Sequence, residues 1–282
     1  MADAEEKTGE RRVRCDALGE IVTLPKTPRR VAVLASGLTE AIWEMGLAER
    51  VAAVSQYCQR YVNTGARPVA GDYLRIDEDA LRRVNADLVL MTNGVQLGVA
   101  RRLRAAGFPV FVLPVPDSVF GILENIRRLG ALLNAMPPAL ALTEKMAEEI
   151  AALLAVTPGR RPLVYTELWF GRHPRRTGGL SFARDIVRLA GGEFWGEEIA
   201  GGYLPLDLAA VEKAGPEVVL VFWEEDDFPV DVRALLAARG WEGKWPFRVI
   251  EASIARGKNL IHDGPSILET ARWLGGEFLR KG

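Results

Sequence analysis

The sequence predicts an α/β protein of two Rossmann-like lobes with mostly parallel sheets, joined by a long backbone α-helix. Three observations carry that expectation. Apolar runs of strand length alternate with amphipathic helical segments before residue 117, and do so again after residue 160. Such alternation implies parallel strands covered on both faces. Between the two arrays, residues 117–156 keep a helical period and offer no strand. With 282 residues, 49% of them hydrophobic, the chain is long enough for two cores.

The elements follow in order. Residues 1–29 read as a tail with a short extended lead-in. RVAVLA (30–35) is a strand, broken by Ser36-Gly37. A helix over 39–49 follows, with Leu38, Ile42 and Met45 on one face and Gly46 near its end, where a left-handed residue stops a helix. Residues 51–55 form a second strand. A polar, aromatic loop, QYCQRY (56–61), and irregular chain to Asp72 come next. Then come helix 77–85, strand 87–92, helix 95–106, strand 110–114 and an amphipathic helix over 118–133 in the first lobe. Pro137-Pro138 opens the backbone helix, which runs to about residue 154 and ends before Gly159. At 1.5 Å per residue it spans roughly 27 Å.

The second array repeats the plan: strand 163–168, helix 181–190 with Ser181 as N-cap, helix 206–214, strand 218–223, helix 231–239, strand 248–251 and a closing helix over 265–279. The expected domains are a tail and lead-in hairpin (1–29), an N-terminal lobe (30–136), the connecting helix (137–157) and a C-terminal lobe (158–282). Two lobes on a rod make a stiff clam, suited to gripping a guest between them without wide closure.

Bulk properties exclude several classes. A net charge of −1 gives no basic excess to neutralise phosphates, so nucleic acid is not the expected partner. No run of 18 apolar residues occurs. The first 14 residues are polar and lack the apolar core of a secretion signal. Both a cytoplasmic chain and a periplasmic or otherwise extracytoplasmic one with its leader removed fit this. Cys15 and Cys58 allow one disulfide or two free thiols. Neither His173 nor His262 has metal-ligand spacing with a second ligand, so no metal site or resident cofactor is expected. Dinucleotide, phosphate-loop, zincin, calcium-loop and nucleophile-elbow motifs are all missing.

Ligands of open parallel sheets bind beyond the carboxyl ends of the strands. The loops there carry Tyr57, Arg60 and Tyr61; Asn93; Trp169, Arg172 and His173; and Trp223 with Glu224 and Glu225. Rings and guanidinium forks suit a flat, hydrogen-bonding, anionic guest. Each aromatic also reads as core or edge packing. Trp241 and Trp245 flank a turn and read as lobe packing or as stacking groups.

Five segments in order resemble one family. They are RVRCDALGEIVTLPKTPRRVAVLASGLTEAIWEMGLAERVAAVSQYC, DEDALRRVNADLVLM, GGLSFARDIVRLAGGEFWG, LPLDLAAVEKAGPEVVLVF and HDGPSILETARWLGGEF. Together they are similar to the substrate-binding proteins of ABC importers for cobalamin and ferric siderophores, the periplasmic binding proteins with a helical backbone. The resemblance covers about residues 14–280. It implies a monomeric protein that holds a metal chelate between its lobes and passes it to a membrane permease. The cobalt or iron then belongs to the ligand. By the same resemblance the ligand-binding residues are Tyr57, Arg60, Tyr61, Asn93, Trp169, Arg172, His173, Tyr203, Trp223 and Trp241. Family members present a docking glutamate on each lobe. Gln96-Leu97-Gly98 stands where the first is expected, which leaves Glu224 and Glu225 as docking acids.

The expected function is therefore capture of a corrinoid, ferric siderophore or haem-like chelate without turnover. The alternative is an enzyme or metal-cofactor-handling protein on the same scaffold, with Cys58 and His173 as its reactive cluster. A third reading is a two-lobed partner protein whose own side chains fill the space between lobes.

Overall fold

The computed structural model describes residues 9–156, 159–224 and 229–280. The chain divides into two compact units, each with its own sheet. The first holds the chain up to Val115, Ile122–Lys145 and Asp263–Pro265; the second holds Pro116–Gly121, Met146–His262 and the chain from Ser266.

The first unit begins with a hairpin. Strands β1 (Glu10–Cys15) and β2 (Glu20–Pro25) pair antiparallel, with Gly19 left-handed in the turn at φ 70°. The sheet then forms from β3 (Val31–Val33), β4 (Val51–Val54), β5 (Leu88–Thr92) and β6 (Val110–Leu113). Its order is β4-β3-β5-β6 and every pairing is parallel. All residues of β3, β5 and β6 are buried, as strands covered on both faces require.

Helices α1 (Ser36–Glu44), α2 (Glu78–Arg83) and α3 (Leu97–Ala105) make the connections. Helix α1 starts earlier and stops earlier than expected. Gly46, at φ 72°, turns the chain after it, and Ala48–Arg50 forms only a 3-10 turn. Asp77 caps α2 by accepting from the Ala80 amide at 2.9 Å.

The hairpin does more than lead in. Strand β6 is the sheet's edge, and the Cys15 thiol accepts from the Val112 amide at 3.4 Å, covering backbone that would otherwise stand open. Arg11 donates to the carbonyl of Ala131 at 2.7 Å and also to that of Leu132. Arg50 donates to Leu133 at 2.7 Å. Both cations cap the C-terminus of α4 (Val119–Leu132), where the helix dipole favours positive charge.

The first turn of α4, expected in the N-terminal lobe, belongs to the second unit instead. There the Val119 amide donates to Asp185 Oδ2 at 2.7 Å, a buried cap that only that unit supplies. Helix α5 (Met136–Ala155) is unbroken, with its residues to Lys145 in the first unit and those from Met146 in the second.

The second sheet takes the order β10-β8-β7-β11-β12, from β7 (Leu163–Leu168), β8 (Arg175–Thr177), β10 (Tyr203–Leu204), β11 (Val218–Phe222) and β12 (Arg248–Ala252); β9 (Glu193–Phe194) also pairs with β7. Strands β7, β9, β11 and β12 are parallel, while β8 pairs antiparallel with both its neighbours, β7 and β10. Side chains also cap α6 (Phe182–Leu189), through Ser181, α7 (Leu208–Ala214), through Asp207, and α8 (Val232–Ala238), through Asp231. Helix α9 (Ile267–Leu279) follows them.

The core here is aromatic. Trp241 is fully buried among Tyr165, Phe170, Val219, Val221 and Leu236. Behind it the Glu167 carboxylate, fully buried, takes both arms of Arg239 at 2.7 and 2.8 Å and the Tyr165 hydroxyl at 2.9 Å. Burial, and then the Glu167 charge, push the Tyr165 phenol upward, which keeps it a donor.

Candidate functional site

In the first unit the chain crosses from β3 to β4 on one side and returns through β5 on the other. The crevice between β3 and β5 is where such folds place ligands. Here the protein fills its inner end. Buried Gln96 donates to the Leu34 carbonyl at 3.0 Å and accepts from the Thr92 amide at 3.0 Å. Gln96 is thus a structural plug rather than a surface docking position. The start of α1 is closed as well: a Cβ on Gly37 would lie 2.7 Å from the backbone carbonyl group of Asp263, so only glycine admits that segment.

Outside the plug lies an aromatic platform. Tyr57 and Tyr73 stack with ring centroids 4.9 Å apart and planes 16° from parallel. The Arg60 guanidinium sits over Tyr57 at 5.3 Å. The Tyr73 hydroxyl lies 3.1 Å from that of Ser36, so its ring is anchored at the head of α1. Burial pushes this phenol up, and the Ser36 contact only partly offsets it.

Tyr73 was absent from the expected set, because it falls in irregular chain that carries no period. The stack brings Tyr57 and Arg60 together. Tyr61, by contrast, is buried, with little ring left to offer. The Asn93 side-chain oxygen Oδ1 accepts from the Val115 amide at 2.8 Å, which ties two strand-end loops together.

In the second unit, Trp169 directly follows the last residue of β7. Its backbone is left-handed at φ 51°, alongside two asparagines and no other described non-glycine residue. Asparagine tolerates that region; a bulky aromatic there stores strain of about 1–3 kcal/mol. The amides of Arg172 and His173 both donate to the Trp169 carbonyl at 3.1 Å, and Gly171 at φ 83° completes the reversal. Strand β8 then returns with Leu168 opposite Arg175. The segment expected as an open loop is therefore a hairpin, too short and too charged to show a strand pattern.

The twist sets Trp169 against Tyr203, centroids 5.6 Å apart. It opens a pocket of about 330 Å³ lined by Trp169, Arg172, His173, Arg175 and Glu224. Arg172 lies 3.7 Å from Glu224. Trp223 is half-buried and donates to Glu251 at 3.2 Å. Trp241 departs from expectation: it is enclosed in the core and presents no face to a ligand. Glu225 lies outside the described residues.

The alternative cluster loses its nucleophile. Cys58 and His173 belong to different units. Cys58 is buried, 3.1 Å from the Thr39 hydroxyl and 3.2 Å from that of Ser55, and burial pushes its thiol above its ordinary value of 9.0. Iodoacetamide is therefore expected to leave Cys58 unmodified in the native protein at pH 7.5 and to label it fully in denaturant, read by mass spectrometry. Because the raised value belongs to the folded state, the stability from holding this thiol is complete below about pH 9. It falls as pH rises toward the folded value. Among the described residues no group of three or more His, Cys, Asp or Glu side chains could hold a metal ion.

Each unit thus carries aromatic rings and arginines together at its strand ends. The chain belongs to the periplasmic binding protein family, whose model matches residues 31–243. Among individual relatives, the cobalamin-binding protein of Halobacterium salinarum, from two strains, is 28% identical over 234 residues, or 79% of this chain. The alignment spans 61% of the length of those relatives.

Solved structures share the fold at low identity. The periplasmic heme binding protein HutB of Vibrio cholerae superposes with a TM-score of 0.76 at 20% identity, covering 90% of this chain and 100% of that one. A possible iron-binding, periplasmic solute-binding protein of Staphylococcus epidermidis gives 0.75 at 17%, over 89% and 99%. A protein of the ABC-type Fe3+-hydroxamate transport system of Saccharomonospora viridis gives 0.70 at 18%, over 96% and 99%.

Proposed function

We propose that this chain is a solute-binding protein that captures a metal chelate, a corrinoid or a ferric siderophore or haem-like ligand, and delivers it to an ABC importer. On this reading it works outside the cytoplasmic membrane as a monomer, performs no turnover, and the metal arrives with the ligand. Glu224 serves it as a docking acid. The family membership and the chelates named for its relatives support the reading.

The single observation that carries it is Trp169. The fold holds a strained tryptophan at a strand end, against Tyr203 and beside Arg172, His173 and Arg175. Strain in so exposed a hairpin is retained where a ring must face a guest. Tyr57, Tyr73 and Arg60 offer the first unit's counterpart.

Cyanocobalamin, haemin and a ferric hydroxamate titrated against tryptophan fluorescence test the proposal. One of them should quench with a Kd at or below about 1 μM, about −8 kcal/mol. Trp169→Gly should weaken that ligand tenfold or more while the thermal midpoint holds or rises, since glycine loses the ring and also the Cβ that a left-handed backbone opposes. If all three fail to bind at about 1 mM, the chelate reading is lost.

A further inference from the structure

We infer that the groove beneath the β1–β2 hairpin of the first unit is a second binding site, for a small amphipathic carboxylate. It has a volume of about 470 Å³, within the range of about 300–1,000 Å³ typical of small-molecule sites. Its floor is apolar: Val13 from the hairpin, Phe111 and Pro114 from the end of β6, and Leu132 from α4. Its rim is cationic, with Arg11, Arg14 and Arg128 against the single carboxylate of Asp16.

The donors of that rim are incompletely used. Arg14 reaches Asp16 through Nε at 3.0 Å, and Arg128 reaches Glu124 through Nε at 3.1 Å. The terminal nitrogens of both have no hydrogen bond among the described residues. Arg11 spends its terminal nitrogens on the α4 carbonyls, and its Nε is buried without a partner. Guanidinium forks with spare parallel donors match a carboxylate, and the apolar floor matches a hydrocarbon body. A bare anion leaves that floor wet, and a neutral alkyl chain leaves the arginines unanswered. The groove therefore selects a molecule with both parts. It does not rest on the chelate reading: the platform residues Tyr57, Tyr73 and Arg60 do not line it, and Asn93, which does, has its side-chain oxygen engaged by the Val115 amide.

Calorimetric titration of the whole protein with decanoate tests this. Saturable binding is expected, at least tenfold tighter than 1-decanol and weakened by added NaCl. Arg14→Gln with Arg128→Gln, both at solvated positions, should reduce affinity tenfold or more. Ala17→Trp, in the hairpin turn, should block the groove. Absence of saturable heat at several millimolar decanoate overturns the inference. So does equal affinity for 1-decanol, or affinity unchanged in the double arginine variant, which decides the matter even where Ala17→Trp fails to fold. Wild-type protein that takes decanoate but no chelate sinks only the chelate reading. The reverse sinks only this one.

Discussion

Replacing Arg239 by alanine is expected to remove about 3–5 kcal/mol of stability, a large share of the 5–15 kcal/mol that holds a typical domain together. The arginine is clamped on Glu167 by two bonds of 2.7 and 2.8 Å, and it lies over the rings of Phe170 at 4.7 Å and Trp241 at 5.4 Å. Glu167 has no exposed side-chain surface. Without Arg239 its charge stays in the core with only the Tyr165 hydroxyl as donor, and solvation there does not replace what is lost.

The loss comes from stranding one charge rather than from the net strength of the pair. Arg239→Met combined with Glu167→Gln should therefore recover much of it. Urea unfolding monitored by tryptophan fluorescence gives the comparison. A single Arg239→Ala variant within about 1 kcal/mol of wild type would show that water reaches the carboxylate and that the pair is not a structural keystone.

Trp241→Ala should cost about 3–5 kcal/mol as well, for a different reason. The indole fills the centre of the second unit's cluster, edge-on to Tyr165 at 6.1 Å and to Phe247 at 6.3 Å, and tilted against Trp245 at 5.3 Å. Its nitrogen donates to Glu212 at 3.0 Å. Truncation opens a void that neighbours already packed on each other cannot close.

Trp241→Phe separates this role from ligand contact. It should lower the urea midpoint while leaving the affinity for whichever chelate binds within about twofold. A variant of wild-type stability that no longer binds would return Trp241 to the ligand site.

The sheets were legible in the sequence because their strands are short, apolar and spaced by helices whose faces repeat. Leu88–Thr92 and Val218–Phe222 are buried at every position, and nothing in their composition competes with that reading. Asp77, Ser181 and Asp231 announce their helices through the side-chain oxygen that each then uses. The hairpin at 163–177 was not legible. Its return strand is three residues of Arg-Arg-Thr, and its turn depends on a tryptophan adopting a conformation that no propensity assigns to it.

The site was half legible for the same reason. Sequence order groups residues by loop, so Tyr57 and Arg60 came together. Tyr73 needed the third dimension to reach them. Trp241 could not be told from a stacking residue, because a tryptophan beside a turn looks the same whether the turn faces water or closes over a core.

The β1–β2 hairpin bears on how the chain is made. Cys15 and its contact at Val112 are separated by 97 positions. Synthesis from the N-terminus produces the cover first and the exposed edge much later. When β6 leaves the ribosome, the piece that shields it is already present and waiting. The nascent protein is thereby spared an interval in which an apolar strand could recruit a neighbouring chain.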